Sequence, residues 1–215
     1  MQVSGIGKPV DIKGPWTVKF PPNLGAPPEI TLPELKSLHR HEQDGVKYFS
    51  GTATYTKRFS LPADAKAGGK RLYLDLGRVE VIAEVKVNGK ALGNVWKPPY
   101  RLDITDAVRA GDNDLEIQLA NLWPNRLIGD EQQPPEYEYG GGGAGGGGGA
   151  SSGVGGATGG ITKIPDWYAK GQPKPASPRV AFATWKWYSK GDPLFESGLL
   201  GPVRLRTALR RPIEV

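Results

Sequence analysis

The sequence predicts an all-β fold, a jelly-roll β-sandwich. Three observations carry this: short runs alternating apolar and polar residues, turn-forming punctuation between them, and apolar stretches too short for long helices. Trp16-Thr17-Val18-Lys19-Phe20 and Leu72-Tyr73-Leu74-Asp75-Leu76 alternate strictly, as do Leu115, Ile117 and Leu119 with Glu116 and Gln118. Val79, Val81, Ala83, Val85 and Val87 fall on one face of a run whose other face carries Glu80, Glu84 and Lys86. Period-two alternation sets one face on a core and the other in water. Val203 and Leu205 repeat the pattern near the end.

Turn chemistry agrees. Asn88-Gly89 tolerates the positive φ angles of a tight hairpin, and Ala110-Gly111-Asp112-Asn113 reads as a turn before the Leu115 strand. Pro62, Pro98, Pro99 and Pro124 are placed between strands, where a missing N–H does little harm. Short helices are expected around 32–38 and 104–108, and strands resume around Arg179–Tyr188. One sandwich is expected over 1–139 and 161–206, with a tail over 207–215. Between its parts lies a tract, 140–160, in which 14 of 21 residues are glycine. Such a tract reads as a flexible surface loop. The competing reading makes it an assembly element, with Gly141, Gly142, Gly146 and Gly147 packing against other copies of the chain in an oligomer or filament.

The 215 residues contain no cysteine, so neither disulfides nor thiolate metal sites contribute. The net charge of +6 is dispersed apart from Arg204, Arg206, Arg210 and Arg211. No basic stripe points to nucleic acid, and no apolar run approaches the ~18 residues of a membrane helix. Met1 is followed by Gln2-Val3-Ser4-Gly5, without the basic and apolar regions of a signal peptide. The chain is expected to work in an extracellular or periplasmic setting as a piece of a longer protein, the alternative being that it stays inside.

Aromatic side chains offer the main chemical signal. Sugar rings present flat C–H faces and a rim of hydroxyls, so an aromatic platform beside amides, carboxylates and guanidinium groups suits carbohydrate. Trp96, Tyr100 and Trp123 lie in or beside polar, proline-rich loops, and Asn125, Arg126 and Asp130 follow Trp123 closely. These six are the expected ligand-binding residues, with the rings stacking on sugar and Asn125, Arg126 and Asp130 bonding hydroxyls. Trp185 and Trp187 are two apart and are expected to face the core. No catalytic residue is assigned. Asp130-Glu131 are merely adjacent, and Glu80 with Glu84 share a solvated strand face, a poor match to the opposed carboxylates of a glycosidase. His39 and His41 are read as surface residues. Asp103, Asp106, Asp112 and Asp114 are hard-oxygen groups suited to Ca²⁺, though their spacing departs from the EF-hand loop. In the competing reading Asp103 or Thr105 caps a helix and Asp112 makes a turn.

Three sets of segments resemble a known family. They are Tyr48-Phe49-Ser50-Gly51-Thr52-Ala53-Thr54-Tyr55; Leu74-Asp75-Leu76-Gly77 with Val85-Lys86-Val87-Asn88-Gly89-Lys90-Ala91-Leu92-Gly93; and Trp96-Lys97-Pro98-Pro99-Tyr100 with Asp103-Ile104-Thr105. Together they resemble the galactose-binding-like jelly-roll domain of β-galactosidase-type and β-glucuronidase-type glycoside hydrolases. The stretch Asn121–Glu131 and the closing Ser197-Gly198-Leu199-Leu200-Gly201-Pro202-Val203 are most similar to the C-terminal domain of family 106 α-L-rhamnosidase-type enzymes. The resemblance implies an accessory sandwich packed on a separate catalytic barrel that holds the catalytic carboxylates. A self-assembling subunit, or part of an active hydrolase, are the alternatives.

Overall fold

The structure, a computed structural model, describes residues 8–140 and 160–209. Its strands in chain order are β1 (Val10–Asp11), β2 (Trp16–Lys19), β3 (Glu29–Leu32), β4 (Thr52–Leu61), β5 (Lys70–Asp75) and β6 (Arg78–Glu80). There follow β7 (Ile82–Val87), β8 (Lys90–Val95), β9 (Arg101–Asp103), β10 (Gly111–Ala120), β11 (Gly198–Gly201) and β12 (Arg204–Leu209). A six-stranded sheet runs β3-β2-β4-β10-β7-β8, a four-stranded sheet β1-β12-β5-β9, and β11 pairs with β6. Every strand pair is antiparallel.

The core lies between the two larger sheets. The six-stranded sheet contributes Trp16, Val18, Tyr55, Val85, Ile117 and Leu119, and the other contributes Leu72, Leu74 and Leu205. Each such side chain, fully buried, stabilises the fold by about 1.5–3 kcal/mol. The spine is the pairing of β4 with β10, from Thr52 opposite Ala120 to Leu61 opposite Gly111.

The alternating runs form strands as expected, with one correction. The run from Val79 to Val87 is two strands belonging to different sheets. It breaks at Val81, whose N–H goes to the Ala120 carbonyl. At the hairpin, Asn88 (φ 52°) and Gly89 (φ 78°) both take positive φ, as a two-residue turn requires. The Gly111 turn is held by buried Asn113, which accepts from the Arg109 N–H and donates to the Arg109 and Gly111 carbonyls.

The helical expectations fare less well. Residues 32–38 hold the end of β3 and an irregular stretch, with a single 3-10 turn at Leu38–Arg40. Pro33 disfavours a helical conformation at Leu32. Around Ile104 there is one turn, in which Ala107 and Val108 both donate to the Ile104 carbonyl. The helices are α1 (Asp44–Lys47), α2 (Pro124–Asp130) and α3 (Asp166–Ala169). Helix α2 lies where a loop was expected, and its signal was Pro124 at the first helical position. No strand forms over Arg179–Tyr188 beyond an isolated bridge of Trp185 to Gly160. At the other end, β12 continues past residue 206, pairing Ala208 with Arg71 and Leu209 with Lys70.

Gly141, Gly142, Gly146 and Gly147 lie outside the described residues. The two ends of their tract are held together: Gly140 donates to Gly160, and Thr162 to Glu138, around the Tyr139–Ile161 bridge. The tract therefore leaves and re-enters the fold at one place. Residues 160–197 add no side chain to the main apolar core.

On the outer side of the four-stranded sheet, Asp75 accepts from Arg101 (3.0 Å), Arg206 (2.6 Å) and the Gly77 N–H (3.1 Å). Burial raises its pKa, but the bonds from Gly77, Arg101 and Arg206 outweigh it, and the carboxyl is held below its ordinary value. A carboxylate with a depressed folded pKa stabilises above its unfolded pKa, and that stability is lost as pH falls through the folded one. Wild-type stability should therefore drop more steeply below about pH 4 than that of Asp75→Asn. Urea denaturation at pH 7 and pH 3 checks this, and parallel losses in the two proteins would refute it.

Candidate functional site

The expected binding residues separate into two groups. Asn125, Arg126 and Asp130, on α2, are buried. Asn125 donates to the Phe195 carbonyl and accepts from the Phe195 N–H, both at 2.8 Å. Asp130 accepts from the Val180 N–H at 3.0 Å and the Ala181 N–H at 2.7 Å. Arg126 Nε lies 3.1 Å from Asp130 Oδ1 as an ion pair without an aligned hydrogen bond, and its guanidinium lies 6.0 Å from the centre of the Tyr48 ring. Burial lowers the Arg126 pKa, partly offset by Asp130. Glu131, one residue on, bridges Arg179 and Lys186. These side chains are thus braces that fasten residues 179–195 to the sandwich. The expectation that Asn125, Arg126 and Asp130 bond sugar hydroxyls is corrected, because their polar atoms are engaged inside the protein or shielded from ligand.

Tyr100 is half-buried against the core, and its carbonyl accepts from the Leu76 N–H. Trp96 and Trp123 are exposed, at 62 % and 57 %. They stand at the same end of the six-stranded sheet, as the register shows. Val95 pairs with Ala83, so Ile82 comes beside Trp96; Ile82 pairs in turn with Ala120, which leads into Leu122 and Trp123. Ile82 and Leu122 are exposed as well. The result is an apolar rim across the ends of β8, β7 and β10. The Lys97 ammonium lies 5.1 Å from the centre of the Trp96 ring.

Next to this rim, the outer face of the sheet is polar. One transverse row reads Lys19, Thr54, Gln118, Glu84, Asn94, and the next reads Thr17, Thr56, Glu116, Lys86, Ala91. A groove of about 530 Å³ adjoins the second row, lined by Thr17, Thr56, Lys86, Asp114 and Glu116. Lys86 and Gln118 both bond Glu116. Among the described residues, Glu84 and Asn94 have no side-chain partner, so their hydrogen-bonding capacity faces solvent beside Trp96. Sequence reasoning found the two tryptophans but missed Ile82, Glu84, Asn94 and Gln118. Glu84 and Gln118 read only as parts of a solvated strand face, Ile82 and Asn94 drew no reading, and cross-strand register aligns them.

Other groups are occupied separately. Asp103 accepts from Arg71 at 2.6 Å and from Thr105, while Asp114 pairs with Arg58. Among the described residues no three His, Asp or Glu side chains converge on one point. The four-aspartate calcium set is therefore not assembled, and Asp103 instead closes the Thr105 turn through the Thr105 N–H. Glu80 pairs with Arg78. His39 Nδ1 lies 2.6 Å from the Ser37 hydroxyl, and His41 Nδ1 accepts from the Gln43 N–H; burial lowers the pKa of both imidazoles. Trp185 and Trp187, expected in the core, are exposed, with ring centres 6.3 Å apart.

Two facing antiparallel sheets with an aromatic, polar-flanked rim define an all-β sandwich of the galactose-binding-like class. The chain belongs to the family described as glycosyl hydrolase 2 galactose-binding domain-like, whose model matches residues 36–151. It is 40% identical over 211 residues to a putative beta-glucuronidase of Formosa agariphila, an alignment covering 98% of this chain and 17% of that protein. A beta-glucuronidase of the same organism is 32% identical over 79 residues, 36% of this chain. The rhamnosidase of Novosphingobium sp. PP1Y superposes with a TM-score of 0.71 at 35% identity, covering 97% of this chain and 16% of that one. The chain thus spans about a sixth of the length of the putative beta-glucuronidase and of the rhamnosidase.

Proposed function

We propose that the chain is a non-catalytic accessory domain of a larger glycoside hydrolase, placed outside the cytoplasm, which holds carbohydrate against the Trp96 rim. The observation supporting this most strongly is one of proportion: nearly all of the chain aligns with proteins about six times longer. The site chemistry fits the same reading. A sugar's C–H face would lie on Trp96 and Ile82, and its hydroxyls would reach Asn94, Glu84 and Gln118. The carboxylates among the described residues are mostly ion-paired or spread over open sheet, whereas glycoside cleavage needs two across one bond.

Affinity electrophoresis of the purified chain in gels containing soluble plant or bacterial polysaccharides tests the reading, with an aryl-glycoside assay alongside. Retardation without turnover is expected. Trp96→Ala should weaken retardation about tenfold, a loss of about 1.4 kcal/mol, with the melting temperature unchanged because the ring is exposed. Turnover by the chain alone, or retardation indifferent to Trp96→Ala, would overturn it.

A further inference from the structure

We propose that Trp185 and Trp187 form a second glycan-contacting platform, distinct from the Trp96 rim and resting on the same carbohydrate-associated reading of the domain. The two side chains are 44 % and 50 % exposed, and their rings sit 6.3 Å apart with a 40° tilt. This is the spacing of alternate residues on an extended chain, which places two aromatic faces in a row.

The platform is braced from below. Arg179 donates to the Pro134 carbonyl, the Gln133 carbonyl and Glu131. Glu131 also holds Lys186, the residue between the two tryptophans, at 3.3 Å. Trp185 is tied by its bridge to Gly160, and the Thr184 carbonyl accepts from the Ile161 N–H. Segments held this way lose little conformational freedom when a ligand arrives, the condition under which a small contact area still gives measurable binding.

Size and charge favour a glycan over a protein on this surface. Two half-exposed indoles offer roughly 200–250 Å², well short of the ~800 Å² per partner of a standard protein interface. Beside them, Arg179 and Lys186 are both held by Glu131, so these charged groups are committed to an internal network and not free to match a protein partner's charges. Among the described residues neither indole N–H has a hydrogen-bond partner, which leaves two donors available to hydroxyls at the edge of the platform.

The test compares wild type, W96A, W185A/W187A, W185F/W187F and the triple variant W96A/W185A/W187A by affinity electrophoresis in soluble galactan, glucan and xylan gels. Melting temperatures control for folding. W185A/W187A should bind at least fivefold more weakly, W185F/W187F should recover most of that loss, and the triple variant should bind more weakly than either parent. Unchanged retardation of W185A/W187A, with W96A still impaired, overturns this platform and leaves the rim standing. Loss in W185A/W187A with W96A unaffected overturns the rim and keeps the platform. A wild-type chain retarded by none of the polysaccharides overturns both, as does a loss that W185F/W187F fails to recover for the platform alone.

Discussion

Gly77→Ala should cost about 3 kcal/mol of unfolding free energy or more. Gly77 sits at φ +69°, in the left-handed region, where an L side chain costs about 1–2 kcal/mol. A methyl group there would also run into the backbone of Gly201 and lie 2.7 Å from the Pro202 nitrogen. Gly77 bridges Gly201 directly, at the junction where β11 closes on β6. Neither backbone can rotate away like a side chain, so relief requires the closing strand to shift, an overpacking cost of about 1–3 kcal/mol. Gly89→Ala is the matched control, because Gly89 also has positive φ but its added methyl meets nothing within 4 Å. Urea denaturation of both variants separates strain from collision. Equal losses would refute the backbone-contact account.

The second large effect is at Asp130. Asp130→Ala should cost about 3–5 kcal/mol, the range for removing one partner of a buried ion pair. Two N–H groups, of Val180 and Ala181, lose their acceptor, and the buried Arg126 loses the carboxylate it is paired with. Arg126→Met in the Asp130→Ala background should recover part of the loss, since the stranded charge is then gone, and a double-mutant cycle measures that coupling. Limited proteolysis should cut the Asp130→Ala variant within residues 160–197 before the sandwich, because the brace fastens that segment. A loss below about 1 kcal/mol, or strictly additive substitutions, would show that the brace carries no such role.

Much of the sandwich was legible from short-range pattern. Leu115, Ile117 and Leu119 alternate and are all buried, and Asn88-Gly89 makes the expected hairpin. The site was legible only in part. Trp96 and Trp123 are exposed aromatics as read, but Asn125 and Asp130, which look like sugar ligands next to Trp123, are braces. Their partners lie 50 to 70 residues away, at Val180, Ala181 and Phe195. Trp185 and Trp187 misled in the opposite direction: a two-residue spacing suggested a core strand, and the segment instead runs over the surface. Helix α2 went unseen because its buried face is largely polar, carrying Asn125, Arg126 and Asp130, so no apolar stripe marks it.

By itself the sequence determined the all-β class, the strand faces and the hairpin, because side-chain alternation and turn chemistry act over two to four residues. Tertiary structure alone decided which polar groups remain free to meet a ligand and which aromatics reach the surface. A hydrogen-bonding group is used up by whatever partner folding brings to it, and here those partners come from irregular segments far along the chain.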